Sequence, residues 1–379
     1  MHGFVARHFK TPWSTCKEIP FNQTFTCRRE TDNPAIIRDY MDQTFITGAT
    51  GLIGRRVVQQ LAARNLPATC LLRAGRKLDD LPARHQVRGD ILDPASLREG
   101  MRGATQVIHL AAVADWECID TPPVWQTIVE GTRNVLAAAK HCGVRRVLHV
   151  SSAAAIDGTL QPRLLDENAP FTLPRRGYLY AHAKREAEAI CQDFQREGLP
   201  TLIVNPAETY DPEAPGHCTT ANLHRLARGR SAYVTRGGTG VVHAEDVATG
   251  ILAALQQGHP GQRYILSAEN LGNSRIAHIV REACGKPADI REVPNWLALF
   301  LAGIERRLRL PLGLNPGLIP YATRYWFMDS RKARQDLGWR PRSGTETLTT
   351  TLTQHPAPNP CRPHGASREM PHPPSPSGS

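Results

Sequence analysis

Met41-Asp42-Gln43-Thr44-Phe45-Ile46 runs through Thr47 into Gly48-Ala49-Thr50-Gly51-Leu52-Ile53-Gly54 and then into Arg55-Arg56-Val57-Val58-Gln59-Gln60-Leu61, which reads as strand, glycine turn and helix. Glycines at three-residue intervals let the chain reverse tightly. They also let its backbone approach a pyrophosphate, whose charge is favoured by the free N–H groups of a helix N-terminus. Glycines alone would suit any flexible turn. The strand in front and the helix behind make this one a dinucleotide cradle, with Gly48, Thr50, Gly51, Leu52, Ile53 and Gly54 as the expected contacts.

Downstream, strand-like and helix-like segments alternate: Ala68–Leu72, Gln86–Arg88, Gln106–Leu110, a helix over Val129–His141, Arg146–Ser151, a helix over Ala181–Glu197 and Thr201–Val204. Such alternation predicts βαβ units and an α/β, doubly wound parallel sheet of Rossmann type. Past about Asp211 the pattern breaks into loops and shorter helices, which predicts a smaller C-terminal substrate lobe over 211–353, with 243–267 partly returning to a core of 41–210. Residues 1–40 show no periodicity and read as an appended segment, with Met41 as a candidate natural start. Residues 354–379 are rich in proline, serine and histidine, too poor in apolar side chains to offset the entropy of ordering, and read as a disordered tail.

What selects the cofactor is the end of the second strand. An acidic residue there would hydrogen-bond ribose hydroxyls of NAD; Arg73 instead offers charge to a 2′-phosphate, with Arg76 or Lys77 to help, so NADP is the expected cofactor and NAD the second choice. Further along, Tyr180-Ala181-His182-Ala183-Lys184 sets a phenol and an ammonium on one helical face. A tyrosine ionises near pH 10 in isolation, so it works at neutrality only beside a cation, and Lys184 supplies that charge. The same ammonium is placed to hold a nicotinamide ribose. A third polar group is expected from the end of an earlier strand, where Val147-Leu148-His149-Val150-Ser151-Ser152 ends in two hydroxyls and Ser152 is the favoured one. Tyr178 has no lysine four residues on and is the weaker tyrosine.

With these residues in place the chain resembles the extended short-chain dehydrogenase/reductase superfamily, close to its dihydroflavonol-reductase-like and NAD-dependent epimerase/dehydratase groups. The likeness covers roughly residues 41–350. The adenine-contacting motif of that family falls on Gly89-Asp90-Ile91-Leu92-Asp93, its fourth-strand motif on His109-Leu110-Ala111-Ala112, and its helix signature on Glu130-Gly131-Thr132-Arg133-Asn134. Asn205-Pro206-Ala207-Glu208-Thr209-Tyr210 resembles the segment along the nicotinamide. The resemblance therefore implies cofactor contacts at Asp90, Ile91, Leu110, Ala111, Ala112, Lys184 and Pro206, and catalysis by Ser152, Tyr180 and Lys184. Two positions depart from the pattern. Ile128 stands where many relatives carry an asparagine, so a polar contact to the lysine is absent or supplied elsewhere, and Asp157-Gly158 replaces the tyrosine-glycine pair of sugar-nucleotide epimerases.

The expected activity is hydride transfer between nicotinamide and a carbonyl or secondary alcohol of a small organic molecule, flavonoid- or sterol-like. A nucleotide-sugar epimerase or dehydratase and a non-catalytic cofactor sensor are the alternatives. Nine cysteines without a C-x-x-C pair argue against zinc and against a disulfide scaffold, which suits a reducing cytoplasm. The histidines at 217, 224, 243, 259 and 278 show no ligand spacing, so no metal is expected. A net charge of +11 is spread along the chain and predicts a solvated basic surface, not a nucleic-acid site. No apolar stretch of about 18 residues exists, so no spanning helix is expected. The run Trp296-Leu297-Ala298-Leu299-Phe300-Leu301-Ala302 either packs within the lobe, caps or lines the pocket, or touches a membrane surface, and Trp326-Phe327 either packs within the lobe or lines the pocket. A homodimer is the expected assembly.

Overall fold

The glycine turn sits at the carboxyl end of an interior strand of a seven-stranded sheet, and that position organises the rest of the molecule. The computed structural model describes residues 43–76, 85–113, 115–116, 118–214, 216–308 and 315–354. Met41, the 1–40 segment, Lys77 and the 355–379 tail lie outside the described residues.

The main sheet contains β1 (Thr44–Thr47), β2 (Ala68–Leu72), β3 (His85–Arg88), β4 (Gln106–His109), β5 (Arg146–Val150), β6 (Thr201–Pro206) and β7 (Arg263–Leu266). Every pairing is parallel, in the order β7-β6-β5-β4-β1-β2-β3. Strand order reverses between β1 and β4. In an open parallel sheet the crevice at that switch, beyond the carboxyl ends, is where ligands bind. Strands buried on both faces read as continuous apolar runs, which is why Thr44–Thr47 and Arg146–Val150 carry so little alternation.

Helices cover both faces. α1 (Leu52–Ala63) buries Gly54, Val57, Val58 and Leu61, the i, i+3, i+4, i+7 stripe that a helix on a sheet requires. It begins at Leu52, three residues before the expected Arg55, because Gly51 serves as its N-cap. α2 (Pro94–Gly100), unforeseen from the sequence, is capped by Asp93 accepting from the Ala95 N–H. α3 (Gly131–His141) follows a π-helical turn at Gln126–Glu130, and α4 (Leu179–Arg196) carries the tyrosine and lysine.

Beyond Asp211 the chain is more regular than its sequence suggests. α5 (Ala244–Gln257) packs against α1, and its buried Val247, Ala248, Ile251, Leu252 and Leu255 form a stripe obscured by the alanines around it. β7 then closes the main sheet beside β6. The lobe is also discontinuous in sequence. Its five-stranded sheet draws Leu164–Leu165 from before α4 and pairs it with Tyr325–Met328, alongside Gly238–His243, Glu269–Gly272 and Glu208–Tyr210. A separate pair joins Ala232–Thr235 to Ile290–Val293, which leads into α6 (Asn295–Leu308).

Candidate active site

The cradle is closed to larger side chains. Gly48 has φ of +77°, and a Cβ there would stand 2.6 Å from the Ala111 nitrogen of the neighbouring strand's end. A Cβ at Gly54 would run into the Gly48 carbonyl oxygen and stand 2.9 Å from Ala49 Cα, so α1 approaches the turn only with glycine there. Gly51 caps α1 with no side chain, and no acidic residue sits in its first turn. The N–H groups and positive dipole end of α1 are thus left facing the crevice. These features fit a dinucleotide pyrophosphate.

Ser152, Tyr180 and Lys184 converge at the edge of this crevice. Tyr180 and Lys184 lie in the first two turns of α4, the ammonium 6.0 Å from the phenol ring centroid. Burial pushes the Tyr180 phenol up to about 12, and a hydrogen bond with the Ser152 side chain pulls it back in part. Lys184 is buried and donates to the Val150 carbonyl at 3.0 Å. Burial brings its pKa down to about 8, against the opposing pull of the Glu188 carboxylate one turn further on. Ser152 is extended and its hydroxyl also accepts from the Ala154 N–H at 3.2 Å. Tyr178 takes no part, since its hydroxyl donates to the Pro320 carbonyl and accepts from Arg324.

Two polar networks hold these groups, and the sequence reading passed over both. Asn205 Nδ2 donates to the Ser152 carbonyl at 3.0 Å and to Glu188 Oε1 at 2.6 Å, while Arg263 holds the other carboxylate oxygen at 2.9 Å. The serine backbone, the acid beside the lysine and strand β7 are tied into one unit. The second network crosses the switch point. Thr132 donates to the Ile128 carbonyl at 2.6 Å, which leaves its oxygen to accept from His109 Nε2 at 3.1 Å. His109 Nδ1 then accepts from Thr47 at 2.7 Å, and Thr47 accepts the Ala111 N–H at 3.3 Å. Burial brings His109 down to about 3, with Lys184 adding to the effect, so the ring is neutral and puts no like charge on the lysine. Ile128 is fully buried among apolar neighbours, so Val150 and Glu188 are what face the ammonium in place of an asparagine.

A single cavity of about 890 Å³ joins the cradle to the lobe. Gly48, Gly51, Leu52, Ile53, Gly54, Leu110, Ala112 and Pro206 line one end, with Ser152, Tyr180 and Lys184 between that end and the lobe side chains. Thr50, Arg73, Asp90, Ile91 and Ala111 are outside its lining. Arg73 is exposed at the end of β2, where Arg88 donates to the Arg73 carbonyl at 3.2 Å and to that of Arg76 at 2.6 Å. Asp90 accepts the Leu92 N–H at 2.9 Å. The Ile91 side chain is buried against Gly131 and its carbonyl takes Asn134, which leaves only its N–H for a ligand. Trp326 lines the cavity but also stacks on Tyr321 at 5.4 Å; its neighbour Phe327 packs on Tyr325 instead. Gly158 is required beneath the Trp326 ring, and Asp157 binds Thr172, so this departure from the epimerase pattern is a packing solution.

His217 and His243 cap helices by accepting from the Thr219 and Glu245 N–H groups. Among the described residues no group of three His, Cys, Asp or Glu side chains is placed to hold a metal, and no helix is long and apolar enough to cross a membrane.

A phosphate cradle and a buried tyrosine–lysine pair facing one cavity define a NAD(P)-dependent oxidoreductase of the extended short-chain dehydrogenase type. Comparison with known proteins gives the family. The model of the NAD-dependent epimerase/dehydratase family matches residues 44–267, and the chain belongs to that family. It is 31% identical over 310 residues to a Synechocystis protein assigned by name to dihydroflavonol 4-reductase, covering 78% of this chain and 90% of that one. It is 29% identical over 313 residues to sterol demethylase protein B of Methylococcus capsulatus, covering 79% and 94%. In fold it resembles UDP-glucose 4-epimerase of Thermus thermophilus in complex with NAD, with a TM-score of 0.66 at 22% identity over 82% of this chain and 98% of that one.

Proposed function

We propose that the chain interconverts a carbonyl and a secondary alcohol on a neutral, largely apolar small molecule, using Ser152, Tyr180 and Lys184 as its catalytic residues. A bound nicotinamide cofactor supplies or accepts the hydride. The Ser152 hydroxyl holds the substrate oxygen. Tyr180, protonated at neutral pH because it is buried, gives its proton to that oxygen in reduction and takes it back in oxidation. Lys184 stabilises the phenolate left behind and is placed to hold a ribose. Gly48, Gly51 and the start of α1 hold the pyrophosphate, with Leu110, Ala112 and Pro206 beside the rings and Asp90 and the Ile91 N–H toward adenine.

The observation that carries the substrate class is the composition of the cavity lining beyond the cradle. Ile119, Leu223, Leu226, Val234 and Ile276 line it together with Glu208, whose pKa burial raises while Tyr210 and Thr239 hydrogen-bond it. Arg225 is the lobe cation in that lining. An acid among aliphatic side chains disfavours a diphosphate and suits a neutral molecule with a hydrogen-bond donor. A thermal-shift screen of the NADPH-loaded protein against apolar ketones, sterols and nucleotide sugars tests this. Stabilisation by ketones or sterols is expected; stabilisation by nucleotide sugars alone would reverse the reading.

For the cofactor we propose NADP. The guanidinium of Arg73 is unburied at the end of β2, and Arg88 braces the loop that carries Arg73 and Arg76. NADPH should bind at least about tenfold more tightly than NADH, and Arg73→Ala should remove most of that margin. Equal dissociation constants for the two reduced cofactors in the wild type would end the preference. The expected compartment is the cytoplasm.

A further inference from the structure

α6 turns its apolar side chains the wrong way for a helix whose only neighbours are protein. Ala298 and Ala302 face inward, yet Trp296 is 70% exposed, Phe300 60% and Leu299 42%, and all three lie on the opposite face. The same face continues at its C-terminal end into exposed Arg306 and Arg307. Arg306 leans on Asp120 at 3.6 Å, and Glu305, the only acid of the helix, is half-buried with a partner of its own. A second exposed aromatic stands on the adjoining strand pair. Tyr233, 64% exposed, sits on the strand paired with Ile290–Val293, and Asn295 at the start of α6 exchanges hydrogen bonds with the Arg236 backbone at 2.9 and 2.8 Å. Trp296 and Tyr233 are therefore held by one braced edge and not by a loose loop.

This edge is also cavity wall. Tyr233 lines the cavity from its strand, and Ala298 and Leu301 line it from α6. Soluble proteins seldom expose Trp, Leu and Phe together on one face of a helix, and such a face that grades into arginines is the pattern of an interfacial helix. Tryptophan and tyrosine favour the headgroup level, where their rings are apolar and their polar tips remain wet. We propose that α6 and the adjoining edge at Tyr233 dock the protein on the surface of an anionic lipid bilayer, beside the wall of its substrate cavity. A chain of net charge +11, with Arg306 and Arg307 at the end of this face, is drawn to an anionic surface, which favours lipid as the occupant. Docking there lets an apolar substrate pass from bilayer to cavity with little exposure to water.

The test is flotation of the full-length protein with vesicles of phosphatidylcholine alone and of phosphatidylcholine with about 30% phosphatidylglycerol. The wild type is expected to float with the anionic vesicles at low salt, and Trp296→Ser with Phe300→Ser to lower the partition coefficient about tenfold. Arg307→Glu should weaken binding to anionic vesicles only. Both variants replace exposed side chains, and an unchanged thermal melt verifies that they fold. Three results would overturn the proposal: wild type that stays unbound, a double variant that floats like wild type because basic residues elsewhere carry binding, or a wild-type dimer that the double variant dissolves.

Discussion

Tyr180→Phe is expected to lower turnover on the order of a thousandfold while leaving dinucleotide affinity within about twofold. The substitution removes one oxygen and no packing volume. It takes away the proton that the substrate oxygen must receive and the hydroxyl that meets Ser152. The cradle formed by Gly48, Gly51 and Gly54 lies on different elements and is untouched. Initial rates on a substrate found in the screen, together with a fluorescence titration of NADPH, separate the two effects. A variant that stayed active, or that lost cofactor affinity in the same proportion, would take Tyr180 out of its role.

Lys184→Met is expected to abolish turnover and to make the fold more stable at neutral pH, by on the order of 2 kcal/mol. Burial lowers the folded-state pKa of Lys184 to about 8 from its usual 10.5, so its charged form is disfavoured on folding. That cost is present in full below about pH 8, fades as pH rises, and is gone above 10.5. The stability difference between variant and wild type should therefore shrink across that window, as urea unfolding at about pH 7 and about pH 10 reads directly. The Val150 carbonyl loses its donor in the variant, which keeps the gain below the full linkage value. The same titration gives wild-type carbonyl reduction a descending limb above about pH 8, where Tyr180 loses its cation. An equally unstable variant at neutral pH would mean that Glu188 fully offsets the burial.

The parts legible in the sequence were those whose physics is local. A strand, three glycines and a helix dictate a cradle whatever surrounds them, and a tyrosine four residues before a lysine shares its helical face. The sheet could be read from alternation because parallel strands must be joined by crossovers. Less legible were features that exist only once distant segments meet. Glu188 continues the face of Tyr180 and Lys184 by another four residues, a spacing visible in the sequence, but nothing local says that Asn205 and Arg263 converge on it. The relay from Thr47 through His109 to Thr132 joins two strands and a helix in the same way. α5 was hidden for a different reason, since alanine and glycine between its apolar positions blur the stripe that α1 shows plainly. The lobe's borrowed strand escaped the reading, because Leu164–Leu165 joins a strand from the far end of the chain, a pairing that loop closure permits and no periodicity announces.

Deuterium transfer reads whether hydride passes between a dinucleotide on the glycine cradle and a carbonyl beside Ser152 and Tyr180. Wild-type protein incubated with NADPH carrying deuterium at both hydrogens of the reactive nicotinamide carbon and an apolar ketone that binds in the screen should place the label on the former carbonyl carbon, and Tyr180→Phe should not. An unlabelled alcohol from the wild type, or no alcohol from any bound ketone with either NADPH or NADH, would contradict the account.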